Sequence, residues 1–164
     1  MIILGVDPGL ASMGYGVISY DGVRARMLDY GVLYTKAGVP LPKRLVALHN
    51  GLVDLIERHQ PDDIAMEELF FNTNVTTAIT VGEARGVAIA TCALHTPNLF
   101  EYTPMQIKLA VTGYGKADKI QVQQMVKLLL NLPALPKPDD AADGLAIAIC
   151  HAHSLAAREM YRMK

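Results

Sequence analysis

The chain has 164 residues, 51% of them hydrophobic and 19% charged. That is the size of one domain, long enough to bury roughly 70% of the surface its unfolded form exposes, and too apolar for a disordered chain. A net charge of −1 excludes a strongly basic surface and, on first reading, counts against a nucleic-acid partner.

Ile2–Val6 is an apolar run that ends at Asp7-Pro8-Gly9 and predicts a strand. Gly14–Tyr20 and Met27–Tyr34 follow with Asp21-Gly22 as the turn between them, which predicts an antiparallel meander. Leu41, Leu45, Leu48, Leu52, Leu55 and Ile56 then fall on one face of a helix, which His59-Gln60-Pro61 ends. Asp63–Phe70 reads as a strand carrying Glu67 and Glu68, and Thr76–Ala93 as a mostly buried helix. Asn98–Tyr102 is a short strand. Pro104 opens a short helix to Val111, with Gly113 and Gly115 as stop signals. Asp118 caps the next helix, whose apolar face is Val122, Met125, Val126 and Leu129. A loop with Pro133, Pro136 and Pro138 leads to a last helix from about Asp139 to about Arg158. Three strands followed by alternating helices and strands predict an α/β fold: a mixed sheet with helices on its faces, as one domain over residues 1–164.

No apolar run approaches the roughly 18 residues of a membrane span. The N-terminal run lacks a basic leader and Asp7 interrupts it, so it does not read as a signal peptide. Cys92 and Cys150 sit in small-apolar stretches without Cys-x-x-Cys spacing, and read as reduced, buried thiols of a cytoplasmic protein. His151 and His153 fall on different sides of a helix, the wrong spacing for a paired metal site. His49, His59 and His95 read as surface residues near helix ends.

Three acidic anomalies stand out. Residues 141–150 are apolar nearly all round, apart from Asp143 and Gly144. An ionised Asp inside so buried a helix needs a partner. Asp140 and Asp139 share its face and would repel it. No basic residue lies between Pro138 and His151, so the relief must be a metal or a cation from elsewhere in the chain. The plainer reading makes Asp139 and Asp140 ordinary helix-start acids facing the dipole. Asp7 ends an apolar strand among Gly5, Gly9, Gly14 and Gly16, small residues that let another backbone or a substrate phosphate come close. Taken alone, Asp7 is as well explained by an Asx turn. Glu67 and Glu68 are consecutive on a strand and point to opposite faces, so a central strand aims one of them inward, whereas an edge strand leaves both solvated.

A layered α/β fold could bring these acids together. Carboxylates suit Mg²⁺ or Mn²⁺, and two such ions can hydrolyse a phosphodiester. Two bound divalent ions would move the net charge to about +3. The window 104–127 carries Lys108, Lys116, Lys119 and Lys127 against Asp118 alone, a net +3. Phe70 and Phe71 could stack on an exposed base, and Asn72, Thr73 and Asn74 offer hydrogen bonds to phosphate or sugar.

Four stretches, in order along nearly the whole chain, resemble the RuvC family of Holliday-junction resolvases. They are Ile3-Leu4-Gly5-Val6-Asp7-Pro8-Gly9, Ala65-Met66-Glu67-Glu68-Leu69-Phe70, Gly82-Glu83-Ala84-Arg85-Gly86-Val87 and residues 139–148 from Asp139-Asp140-Ala141-Ala142-Asp143-Gly144 onward. The resemblance implies a ribonuclease H-like fold with a five-stranded mixed sheet, and a homodimer that nicks a four-way DNA junction symmetrically. It implies two Mg²⁺ ions (Mn²⁺ being the alternative) on Asp7, Glu67, Asp140 and Asp143. It places Phe70 as a wedge at the exchange point, and Lys108 and Lys119 near the DNA backbone; Lys116, from the basic window, is the further DNA-binding candidate. It also implies a branch-migration helicase complex, RuvA and RuvB, as partner. Glu68 and Asp139 are extra acids beside those positions. The small-residue helix with Gly82–Val87 is the expected dimer contact. Two rivals are a nucleotide-binding protein of the actin and sugar-kinase group, which needs two such domains, and a catalytically silent junction-binding scaffold.

Overall fold

The computed structural model describes residues 1–69 and 75–164. Its strands are β1 (Ile2–Asp7), β2 (Ser12–Tyr20), β3 (Ala25–Tyr34), β4 (Asp63–Glu67) and β5 (Leu99–Tyr102). Its helices are α1 (Leu41–His59), α2 (Val75–His95), α3 (Pro104–Thr112), α4 (Lys119–Leu129) and α5 (Asp139–His153), followed by a 3-10 helix over Leu155–Tyr161. The strands form one mixed sheet in the order β3-β2-β1-β4-β5. The β1–β2 and β2–β3 pairs are antiparallel, and the β1–β4 and β4–β5 pairs are parallel. This is the helix-flanked, five-stranded sheet that the element order predicts.

Strand alternation sorts the core into two layers. Leu4, Val6, Val17, Ile64 and Met66 face Leu48 and Leu52 of α1 and Ala84, Ala88 and Cys92 of α2. Ile3, Ile18, Ala65, Phe100 and Tyr102 face α3, α4 and α5. Alternation therefore puts Asp7 and Glu67, two residues beyond Gly5 and Ala65, on the α5 side.

Helix α5 lies almost flush on the sheet because glycines leave room for it. A Cβ at Gly14 would overlap the carbonyl of Asp140, and one at Gly5 would overlap the carbonyl of Gly144. The small residues around Asp7 thus admit a second backbone, which is one of the two uses the sequence suggests. Capping boxes start α3 (Thr103 with Gln106) and α4 (Asp118 with Gln121), so Asp118 caps the helix as its position predicts.

The structure departs from expectation at four places. Helix α2, expected to be mostly buried, buries only Ala84, Ala88, Thr91 and Cys92 among its described side chains and leaves Ile79 and Leu94 exposed, because it covers the sheet with one face only. Strand β4 ends at Glu67 rather than Phe70. The last α-helix stops at His153, and the chain tightens into the 3-10 helix that carries Arg158 back over the sheet edge. His49 and His59 are half-buried rather than on the surface, held by Thr91 at 2.8 Å and Asp29 at 3.0 Å. Both cysteines are free and buried, as expected. No described helix is long and apolar enough to cross a membrane.

Candidate active site

The register Val6↔Met66 makes β1 and β4 end side by side, so Asp7 and Glu67 emerge as neighbours at one edge of the sheet. The first turns of α5 cross above them. One carboxylate oxygen each from Asp7, Asp140 and Asp143 lies within 4.8 Å of the others. Glu67 lies beside Asp7, and its carboxylate is among the charges that raise the Asp7 pKa.

The charges there are poorly compensated. Burial, then the Glu67 and Asp143 carboxylates, push the Asp7 pKa up to about 8. Burial also raises Glu67, with Lys108 pulling it back in part. Burial raises Asp143 as well, and Lys119 opposes it. Lys119 Nζ stands 3.3 Å from Asp143 and 3.9 Å from Asp139. It is the cation from elsewhere in the chain that the α5 sequence calls for. Burial works against its charge, but the Asp143, Asp139 and Asp140 carboxylates outweigh that and hold its pKa above the usual lysine value.

The neighbouring acids divide. Asp139 turns outward to Lys137 at 3.2 Å, while Asp140 joins Asp7 and Asp143. Glu68 is exposed, whereas Glu67 is half-buried. A cleft of about 230 Å³ opens beside the acids, with Glu67, Asp143, Lys108 and Lys119 on its walls. Lys116 is exposed in the loop between α3 and α4. Phe70, Phe71, Asn72, Thr73 and Asn74 lie outside the described residues.

Two supports are not evident from the sequence. Arg85 of α2 donates from Nη2 to Glu101 at 2.6 Å and from Nε to the Glu67 carbonyl at 3.4 Å, tying the end of β4 to β5. At the other end of the same strand, Asp63 is buried against His151 and Arg158. The only sequence signal for either was a charged residue inside a buried stretch.

The acids offer an all-oxygen donor set, converge from three elements and carry more negative charge than the two lysines offset. Hard divalent cations satisfy such a set. The arrangement fits a metal centre at the floor of a cleft open to a polyanionic substrate.

The family model described as "Crossover junction endodeoxyribonuclease RuvC" matches residues 3–151. A protein of that name from Alkaliphilus oremlandii is 56% identical over 164 residues, covering 100% of both chains. Among solved structures, Thermus thermophilus RuvC superposes with a TM-score of 0.87 at 34% identity, covering 95% of this chain and 96% of that one. The same protein in complex with a Holliday junction substrate gives a TM-score of 0.86 at 32% identity, with the same coverage.

Proposed function

The chain belongs to the crossover junction endodeoxyribonuclease RuvC family, and from that premise we propose that it resolves four-way DNA junctions with Asp7, Glu67, Asp140 and Asp143 as its metal-binding catalytic acids. The observation that carries this reading is the convergence of the acids with too few cations to balance them. A non-cutting scaffold would bear that repulsion without benefit.

Asp7, Glu67, Asp140 and Asp143 would hold two divalent ions, Mg²⁺ or alternatively Mn²⁺. Metal held by these residues would supply Lewis-acid activation of a water and charge stabilisation of the leaving 3′ oxygen, chemistry that would leave 5′-phosphate ends. The residues of the chain prepare this. Burial and its acidic neighbours raise the Asp7 pKa, so Asp7 would have to give up its proton to act as a ligand. Lys108 and Lys119, on the cleft wall, meet the backbone phosphates of the bound strand. Lys119 serves both sides, holding Asp143 and facing the substrate. Lys116 and Phe70 complete the proposed DNA contacts.

The functional unit in this reading is a cytoplasmic homodimer that works with a RuvA–RuvB branch-migration complex. Two copies set two sites against opposite arms of the junction. Among the described residues, a Cβ at Gly82 or Gly86 of α2 would meet nothing within 4 Å, so no packing among those residues explains them. This supports α2 as the contact.

Incubating the protein with a synthetic four-way junction and Mg²⁺ tests the reading. Paired, symmetric nicks in opposing strands with 5′-phosphate ends are expected. A junction that is bound and stays intact would overturn it.

A further inference from the structure

We propose a second DNA-backbone contact on the α1 side of the sheet, made by Lys36, Lys43 and Arg44 beside Tyr34, which grips a duplex arm of the junction close to the acids. It rests on the nuclease reading above and adds a binding surface that Lys108, Lys116 and Lys119 do not include.

Residues 31–53 contain no Asp or Glu, yet carry Lys36, Lys43 and Arg44 in a chain whose net charge is −1. Lys36 and Lys43 are exposed, and Tyr34 is 67% exposed at the end of β3. Among the described residues none of the three cations forms an ion pair. Lys43 and Arg44 also stand in the first turn of α1, where the helix field disfavours cations and no acid offsets it. The patch is therefore a local concentration of uncompensated positive charge, which a polyanion relieves.

Its position is fixed. The Arg44 Nε–H donates to Thr35 Oγ1 at 2.8 Å, the Thr35 N–H donates to the Ala11 carbonyl at 3.0 Å, and the Thr35 hydroxyl donates to the Leu10 carbonyl. Leu10 and Ala11 follow directly from Asp7-Pro8-Gly9, so the patch is stapled to the edge of the sheet that carries the acids. Strand β3 lies two strands from β1, which is about 10 Å. Duplex charges repeat every ~3.4 Å along each strand. A strand whose scissile phosphate reaches Asp7 thus carries further phosphates past the patch within a few nucleotides. Helix α1 packs on the face of the sheet opposite α3 and α4. The cations therefore flank the acids from both layers.

The test is junction binding without divalent ions over a salt series from about 50 to 200 mM, the range in which counterion release is read. The Lys36→Ala/Lys43→Ala double variant is compared with Arg24→Ala/Arg26→Ala, which removes equal charge from the hairpin at the opposite end of the sheet. Thermal melting reports whether each variant folds. The first variant is expected to bind about tenfold more weakly, with a salt slope shallower by about 2, and the second to keep the wild-type slope. An unchanged slope in the first variant, or equal losses in both, overturns the patch while leaving the nuclease reading standing. Failure of the wild-type chain to bind a junction overturns both.

Discussion

Asp63 opens β4 and Glu67 closes it, on the same face of the sheet and both under α5. They lie about 13 Å apart along the strand. At Asp63 the charge is answered at one oxygen, Oδ2, while Oδ1 is buried with no hydrogen-bond partner among the described residues. Arg158 donates at 2.7 Å and His151 at 2.9 Å to the same carboxylate oxygen, and both Asp63 and His151 are about 1% exposed or less. A carboxylate only accepts, so the proton of His151 sits on Nε2, and Nδ1 accepts from the Tyr102 hydroxyl at 2.9 Å. Burial lowers the pKa of His151 and keeps it neutral. Phe100 stacks on the ring at 4.5 Å. At Glu67 the same strand meets Asp7, Asp140 and Asp143, and among the described residues Lys108 and Lys119 reply. One end of the β4–α5 pair sets a single carboxylate against the Arg158 cation and a hydrogen-bonded imidazole, with only Asp63 Oδ1 left unpaired among the described residues. The other is left open, and it is the open end that can take a ligand. Buried charge alone does not mark a site; buried charge without a sufficient partner does.

The largest effect that would sharpen this contrast is on cleavage. Asp143→Asn keeps the shape of the side chain and removes its charge at the open end. Junction nicking is expected to fall by at least about 10³-fold, or ~4 kcal/mol of barrier, while gel-shift binding and the melting temperature stay near wild type. Nicking within tenfold of wild type would show that the open end is not the reaction centre.

At the closed end the order reverses. Arg158→Ala leaves Asp63 buried with a neutral imidazole, and breaking such a pair costs about 3 kcal/mol once the partial exposure of Arg158 is allowed for. At this chain length that lowers the melting temperature by roughly 6–12 °C. Nicking per folded molecule, measured below the transition, is expected to hold. A stable Arg158→Ala protein with lost activity would invert the comparison.

The two ends were not equally legible in the sequence. Asp143 could be found because a helix apolar nearly all round cannot hide a carboxylate, whereas Asp140 was separated from Asp139, and Asp7 from an ordinary Asx turn, by the resemblance to the family's motifs. The sheet followed from strand periodicity and the change to helical spacing at Leu41. Lys119 could be read as a basic residue of its window and, through the family resemblance, as a DNA contact, but not as the partner of Asp143, because that approach depends on how α4 packs against α5. The closed end was invisible for the same reason: Arg158 and His151 reach Asp63 across 95 and 88 residues. Local pattern also carried the last helix on to Arg158. The pull of Asp63 on Arg158 is a tertiary interaction that no helical period encodes, and it accompanies the 3-10 turn after His153.

The smallest predicted effect separates the ends by pH. Asp7 titrates near 8 in the fold against an ordinary value of 3.8. In the unfolded chain it ionises at the ordinary value, so between about pH 4 and 8 folding must take up a proton. Metal-free protein therefore loses stability as pH rises through that window. His151 works in the other direction. Its folded pKa lies below 6.5, so its contribution is present above that pH and is lost as pH falls. Asp7→Asn removes only the first dependence. At pH 8 without divalent ions the variant should be the more stable protein by about 2 kcal/mol, or ~4–8 °C in melting temperature. The gap should close towards pH 4, and added Mg²⁺ should stabilise wild type more than the variant. Equal melting curves for the two proteins at pH 8 would mean that the open end carries no stored repulsion, and the contrast with Asp63 would fail.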